Sequence, residues 1–349
     1  MRKAVKKYGG SSLCDAARIS GAAKLIMSGG DAVAVVVSAP GKRNATDKKI
    51  TDLLYGIVKD PDDKETLLAV TERFDGIVRD LGIGIDFSDE YEKLLAAAKR
   101  GDAAYTASRG EFFSAKIMAK LIGAPFVDAS EAIRFYKSGK PDLISTFRLV
   151  RDAVSGGPVV IPGFYGTDER GRTVTFPRGG SDITGSIVAS AVGADVYENF
   201  TDVPGYLFVD PKYGKKEITI GRMTYAQARF LSRHGARVMH EGALGYVEKT
   251  HTPIVVKSTF EPEKSGTLIS GADGACGVYG LTGEKDAFGI GDAALAVGCG
   301  VESREAAFSA AASLGNGVVL RSVEESGVIF QVANERLDGA ICALCDMLG

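Results

Sequence analysis

The 349-residue chain has no tryptophan and three histidines, His234, His240 and His251, which lie in one region without the spacing of metal ligands and read as structural. Cysteine is scarce: five residues, an odd number, do not form a disulfide framework in a chain of this size. Cys342-Ala343-Leu344-Cys345 is a CxxC, but it lies on an apolar helix pattern with no second pair, and reads as a packed face rather than a redox or metal motif. Excess charge is missing too. With 42 basic and 44 acidic residues the net charge is −2, both signs dispersed, so no nucleic-acid surface or polybasic membrane patch is suggested. The apolar runs, such as Ala32 to Val37, are too short to cross a bilayer, and the charged start Met1 to Gly9 has no apolar signal core; a soluble cytoplasmic protein is expected. The Walker spacing GxxxxGK[ST] is absent, and the N-terminal loop carries no GxGxxG.

Glycine is abundant, with 44 residues, and two glycine-rich segments carry the chemistry. Thr175-Phe176-Pro177-Arg178-Gly179-Gly180-Ser181-Asp182 joins a strand pattern to a helix pattern. It offers a guanidinium, two glycines, a hydroxyl and a carboxylate where a phosphate could lie against the start of a helix. Taken alone, it is equally a strand-to-helix turn capped by Ser181 or Asp182. A second segment favours phosphate: the strand-like Ala4-Val5-Lys6-Lys7-Tyr8 runs into Gly9-Gly10-Ser11-Ser12 and a helix through Ala16, Ile19, Ala23 and Ile26. A lysine ammonium beside such a loop suits the outer phosphates of a nucleotide.

Strand patterns at 4–8, 32–37, 125–127, 158–161, 195–199 and 253–257 alternate with helix patterns at 14–28, 64–81, 89–100, 105–122, 146–155, 181–193 and 224–233. The alternation predicts an α/β fold, a mostly parallel sheet between helical layers, with a ligand at the carboxyl ends of the strands. Residues 60–100 read as two polar-faced helices on the surface, their charges solvated. Charge, proline and glycine at 261–267 and 271–275 read as a linker. Beyond it, a strand from Val278 to Ile290, a helix from Ser303 to Leu314, strands Val318 to Val323 and Val328 to Val332, and a helix from Glu335 to Leu348 give βαββα.

These segments resemble the aspartokinases of the amino acid kinase family. The resemblance rests on Lys7-Tyr8-Gly9-Gly10-Ser11-Ser12, Arg178 to Asp182, and Thr201-Asp202-Val203-Pro204-Gly205 with Asp210-Pro211-Lys212. Further matches are Val37 to Lys42, Ile50 to Leu54, Arg109-Gly110-Glu111, Ile161 to Phe164 and Val255 to Thr259. All stand in family order over residues 1 to about 270. The resemblance implies a three-layer αβα kinase domain over 1–270 and a small α+β, ACT-like regulatory or dimerisation domain over 275–349, where family members usually carry two. It further implies transfer of the γ-phosphoryl of ATP, with Mg²⁺ held by phosphate oxygens and water, to the β-carboxylate of L-aspartate. The product, 4-phospho-L-aspartate, would lead to lysine, threonine and methionine.

In that pattern Lys7 and Asp182 are catalytic, the ammonium meeting charge on the transferring group and the carboxylate orienting it. Arg178 would fork onto the substrate α-carboxylate and Glu111 pair with its α-ammonium, with Ser38, Thr51 and Ser181 completing the amino-acid site. Gly9, Gly10, Ser11, Gly179, Gly180, Thr201, Asp202, Lys212 and Lys257 fall on the nucleotide side. A homodimer through the C-terminal region is expected, because a truncated sheet leaves an open edge. The readings weighed against this enzyme are a kinase for another small amino acid, and a non-catalytic amino acid sensor or partner subunit.

Overall fold

The computed structural model describes residues 2–213, 217–272, 274–285, 292–315 and 317–348. They divide into two compact units, Met1–Asp202 and Val203–Gly349.

The first unit is built on four strands: β1 (Ala4–Tyr8), β2 (Ala32–Val37), β4 (Val159–Pro162) and β7 (Val196–Thr201), in the order β4-β2-β1-β7. All neighbours pair parallel, in registers that set Tyr8 beside Val37 and Phe200, and Val37 beside Pro162. The carboxyl ends therefore share one edge, and every loop leaving them starts there. The helices are α1 (Ala16–Gly29), α2 (Ile50–Lys59), α3 (Lys64–Asp80), α4 (Ser88–Lys99), α5 (Ala103–Ile122), α6 (Ala129–Ala132), α7 (Leu143–Val154) and α8 (Gly180–Val192). Between them a small sheet of β3 (Arg134–Phe135), β5 (Tyr165–Asp168) and β6 (Thr173–Thr175) is ordered β3-β5-β6. On one side of the main sheet Tyr8, Val35, Val37, Val160 and Phe200 join Ile19, Leu54, Phe74 and Phe113 in a continuous core. On the other side α8 packs on β1, β2 and β7.

β1 is buried along its whole length, as a central parallel strand should be, yet two of its five residues are lysines. Alternation sends them to opposite faces. Lys6 pairs with Asp31 at 2.9 Å and Glu198 at 3.7 Å, on the Tyr8 side; Lys7 turns to α8.

The polar reading of 60–100 is corrected. α3 and α4 bury Val70, Phe74, Ile77, Val78, Leu94, Ala97 and Ala98, and Arg73 of α3 is itself buried at 7% exposure. Only one stripe of each helix is apolar, and the charged remainder hid it from a reading by composition. The strand expected at 125–127 is no more than an isolated bridge, Phe126 to Val160.

In the second unit β8 (Arg222–Thr224), α9 (Tyr225–Arg233), α10 (Glu241–Lys249), β9 (Ile254–Ser258) and β10 (Thr267–Ser270) precede an antiparallel sheet. β10 pairs parallel with β8 and antiparallel with β9, so a strand beginning at Thr267 stands between the two stretches, 261–267 and 271–275, read as a linker. The later sheet comprises β11 (Val278–Glu284), β12 (Ala293–Cys299), β13 (Val318–Glu324) and β14 (Gly327–Val332) in the order β11-β12-β14-β13, with α11 (Arg304–Ser313) and α12 (Leu337–Leu348). The sequence-based βαββα is thereby corrected to ββαββα: β12 lies between the first strand and the helix. Its Ala-Leu-Ala-Val-Gly-Cys composition has little β-branching to mark it, and the expected strand residues 286–290 lie outside the described set. α12 buries Leu337, Ala340, Ile341 and Leu344; of the CxxC only Leu344 is fully in that face, with Cys342 and Cys345 half-buried beside it.

Candidate active site

The two glycine turns meet at the carboxyl edge of the first unit's sheet. Lys7 Nζ lies 2.7 Å from Asp182 Oδ1 and donates to Asn199 Oδ1 at 3.3 Å, while Asn199 Nδ2 donates to Asp182 Oδ1 at 3.1 Å. Lys7 is 7% exposed and Asn199 is fully buried. Parallel register places Asn199 directly beside Lys7, so both side chains leave the sheet toward the start of α8. A buried ammonium is costly without partners, and a carboxylate and an amide oxygen supply them.

α8 starts differently from a capped turn. Gly179, with φ +60°, occupies the N-cap and gives no side-chain cap, while Ser181 and Asp182 stand inside the helix. Glycine is favoured in that left-handed conformation, which has no Cβ penalty for it. The N-terminal end of α8 is thus left for another acceptor. On the first turn, Gly9 N donates to Phe200 O at 3.0 Å, and a Cβ on Gly9 would stand 3.5 Å from Lys7 Nζ. The turn is locked to the loop after β2: Gly41 N donates to Gly10 O at 2.8 Å, and a Cβ on Gly41 would meet that oxygen at 2.8 Å.

Beside these turns opens a cavity of about 580 Å³. Of the expected residues, Gly10, Ser11, Ser38, Thr51, Glu111, Gly179 and Asp202 line it, joined by Ala39, Pro40, Gly41, Lys42 and Lys49. α5 approaches closely because Gly110 has no side chain; a Cβ there would come 2.7 Å from Ala39 Cβ. This brings Glu111 under the loop. The residue is 6% exposed, its Oε2 has no hydrogen-bond partner among the described residues, and burial pushes its pKa up to about 8. The backbone amide of Ala39 and the Arg109 guanidinium oppose that shift. Arg109 is buried over Tyr105 at 4.1 Å and Phe112 at 4.3 Å, donating to Ser108 Oγ and the Tyr105 carbonyl. A carboxyl raised this far is mostly protonated near neutral pH, and a neighbouring cation would favour its ionised form.

Other expected residues lie off this cavity. Arg178 is exposed, and no hydrogen bond or ion pair holds it among the described residues. Ser181 is 8% exposed, packed so closely on Gly163 that a Cβ there would come 2.5 Å from its hydroxyl. Gly180 packs on Phe164 in the same way. Thr201 donates to Asp202 Oδ1 at 3.1 Å. Lys212 and Lys257 belong to the second unit. Lys212 is exposed, 3.7 Å from Asp210, and lines a cavity there with Leu207 and Arg237; Lys257 is half-buried on β9. Asn199 escaped the sequence reading. Its signal was an amide inside an otherwise buried strand.

The model of the amino acid kinase family matches residues 2–258. Aspartokinase 3 of Bacillus subtilis is 34% identical over 285 residues, covering 76% of this chain and 63% of its own length. The lysine-sensitive aspartokinase 3 of Escherichia coli is 28% identical over 291 residues, with the same coverages. The chain thus spans a little under two thirds of the length of these relatives. Its fold superposes on the crystal structure of Clostridium acetobutylicum aspartate kinase with a TM-score of 0.85 at 27% identity, covering 100% of both chains. With the family model spanning both glycine turns, the Lys7–Asp182 pair and the loop over Glu111, this chain belongs to the amino acid kinase family.

Proposed function

We propose that the protein is an aspartate kinase, moving the γ-phosphoryl of ATP to the β-carboxylate of L-aspartate to give 4-phospho-L-aspartate. The observation that carries the reading is the pairing of Lys7 with Asp182 beside a cavity floored by the buried carboxyl of Glu111. Relatives named aspartokinase at 34% and 28% identity support it.

A carboxylate acceptor is already ionised, so the enzyme needs no base to activate it; positioning and charge neutralisation suffice. Lys7 supplies a positive charge to the transferring group, held in place by Asp182 and Asn199. Gly10 and Gly179 stand where a Cβ would clash with the Ala39 carbonyl or strain the chain, and with Gly9 they leave the backbone open to phosphate oxygens. Glu111 receives the α-ammonium of the free amino acid and Ser38 and Thr51 offer hydroxyls; Arg178, exposed outside the cavity but next in sequence to its lining residue Gly179, takes the α-carboxylate. An N-acylated amino acid, lacking the cation, would leave Glu111 unpaired. Among the described residues no group of three or more His, Cys, Asp or Glu is arranged around a metal. Mg²⁺ would neutralise phosphate charge with phosphate oxygens and water as its ligands.

We further propose that residues 1–270 act as the kinase part and 275–349 as an ACT-like part through which two copies pair, its edge strand β13 exposing Val319, Leu320 and Val323. No helix among the described residues is long and apolar enough to cross a membrane; a cytoplasmic location is part of the proposal. The test is Mg-ATP and L-aspartate with hydroxylamine as acyl-phosphate trap. Aspartyl hydroxamate should form, and Lys7→Ala should abolish it. ATP binding without product would instead support a sensor, and product from another amino acid would reassign the substrate.

A further inference from the structure

Resting on the assignment of the Glu111 cavity to the amino acid, we infer that Arg73, with Asp47, is a positioning residue that sets the shape of that cavity from outside it. Arg73 lies on α3, in the region read from sequence as solvated, yet its guanidinium is buried and reaches three separate segments. Nη1 donates to the carbonyls of Cys14 and Gly41, each at 3.3 Å, and Nη2 donates to Asp47 Oδ2 at 2.5 Å. Cys14 closes the 3₁₀ turn that follows Gly9, and Gly41 is the residue whose amide holds Gly10. One side chain therefore fastens the exit of the first glycine turn to the loop that faces it. Arg73 does not line the cavity itself.

Asp47 extends the clamp into the charged loop 42–49, whose ends, Lys42 and Lys49, do line the cavity. Its carboxylate accepts from Arg43 Nε at 3.0 Å, from Arg43 N at 2.9 Å and from Lys48 N at 3.1 Å, folding the loop on itself. Hydrogen bonds from Arg43, acting against burial, and the nearby Arg73 charge hold this carboxyl well below the usual range, so the clamp stays ionised. A planar guanidinium can serve three acceptors at fixed angles; a lysine in its place keeps the charge and loses the geometry. A small shift of the loop would displace Gly41, Lys42 and Lys49, all of which line the cavity, and displacements near 1 Å at a reactive site can cost about 10²-fold.

The experiment uses the full chain and two readouts. Mild trypsin samples the bonds after Lys42, Arg43, Lys48 and Lys49, each cut located by mass spectrometry, and the hydroxamate assay gives KM for L-aspartate and for ATP separately. In Arg73→Lys and Asp47→Asn the loop should be cut about tenfold faster. KM for L-aspartate should rise about tenfold, with KM for ATP within twofold. Unchanged cutting of the loop overturns the clamp whatever the kinetics. Faster cutting with an unchanged KM for L-aspartate overturns its positioning role. Glu111→Gln separates this from failure of the underlying assignment: if it too leaves KM for L-aspartate unchanged, the cavity is not the amino-acid site; if it raises KM, the cavity stands and only the clamp falls.

Discussion

Replacing Glu111 with glutamine removes one titration and nothing of size. In the folded chain the carboxyl has a pKa near 8, against 4.5 for the ordinary group, and burial is the first cause. Below about pH 4.5 it is protonated whether the chain is folded or not. Between that value and 8 the unfolded chain ionises while the folded chain keeps its proton, so stability falls as pH rises. Above 8 the loss is complete. At 1.36 kcal/mol per pKa unit the full loss is up to about 5 kcal/mol, and at pH 7 it is about 3 kcal/mol. For a unit ending at Asp202, one kcal/mol moves the melting temperature by about 2–4 °C. The melting temperature of the wild type minus that of Glu111→Gln should therefore drop by about 10 °C between pH 4.5 and 8.5. Taking the difference removes every other titration common to both proteins.

The same group should report substrate. An α-ammonium beside Glu111 favours the carboxylate, so L-aspartate binding at pH 7 should release about one proton from the wild type and none from Glu111→Gln. Calorimetry in buffers of different ionisation enthalpy measures this. A flat melting difference across the pH range would refute the burial argument, and proton release equal in both proteins would remove Glu111 from the amino-acid site.

Asp182→Asn leaves Lys7 without its ionic partner, and kcat should fall about 10²-fold with KM for L-aspartate little changed; equal losses in kcat and binding would point to a folding defect. Asn199→Ala removes one acceptor from the Lys7 ammonium, so about a tenfold loss in kcat is expected, and full activity would show that Asp182 alone positions it. Gly41→Ala drives a methyl group against the Gly10 carbonyl, and chemical denaturation should show about 1–3 kcal/mol of destabilisation together with a raised KM for L-aspartate.

Much of the arrangement was legible in the residues themselves. Two glycine turns after apolar strands, a lysine before the first and a carboxylate inside the second are local signals, because backbone freedom and helix starts depend on neighbours in sequence. Strand alternation likewise separates Lys6 from Lys7. The residues lost to the sequence reading are those whose meaning is set by a distant partner. Asn199 matters only through its register beside Lys7, 192 positions away. Arg73 reads as one charge among many until its stripe of α3 is known to face the core. β12, poor in β-branched residues, is a strand because β11 and β14 flank it.

The sequence by itself determined the kinds of turn, the alternation of strand and helix, and the chemical inventory of the site, since each follows from interactions a few residues long. Only the tertiary structure decided that the Lys7 ammonium meets Asp182, that Glu111 is buried beneath the Ala39 loop, and that Arg73 ties that loop to the first glycine turn. Those outcomes depend on which buried faces come together, and burial is a property of the packed chain that no short segment possesses.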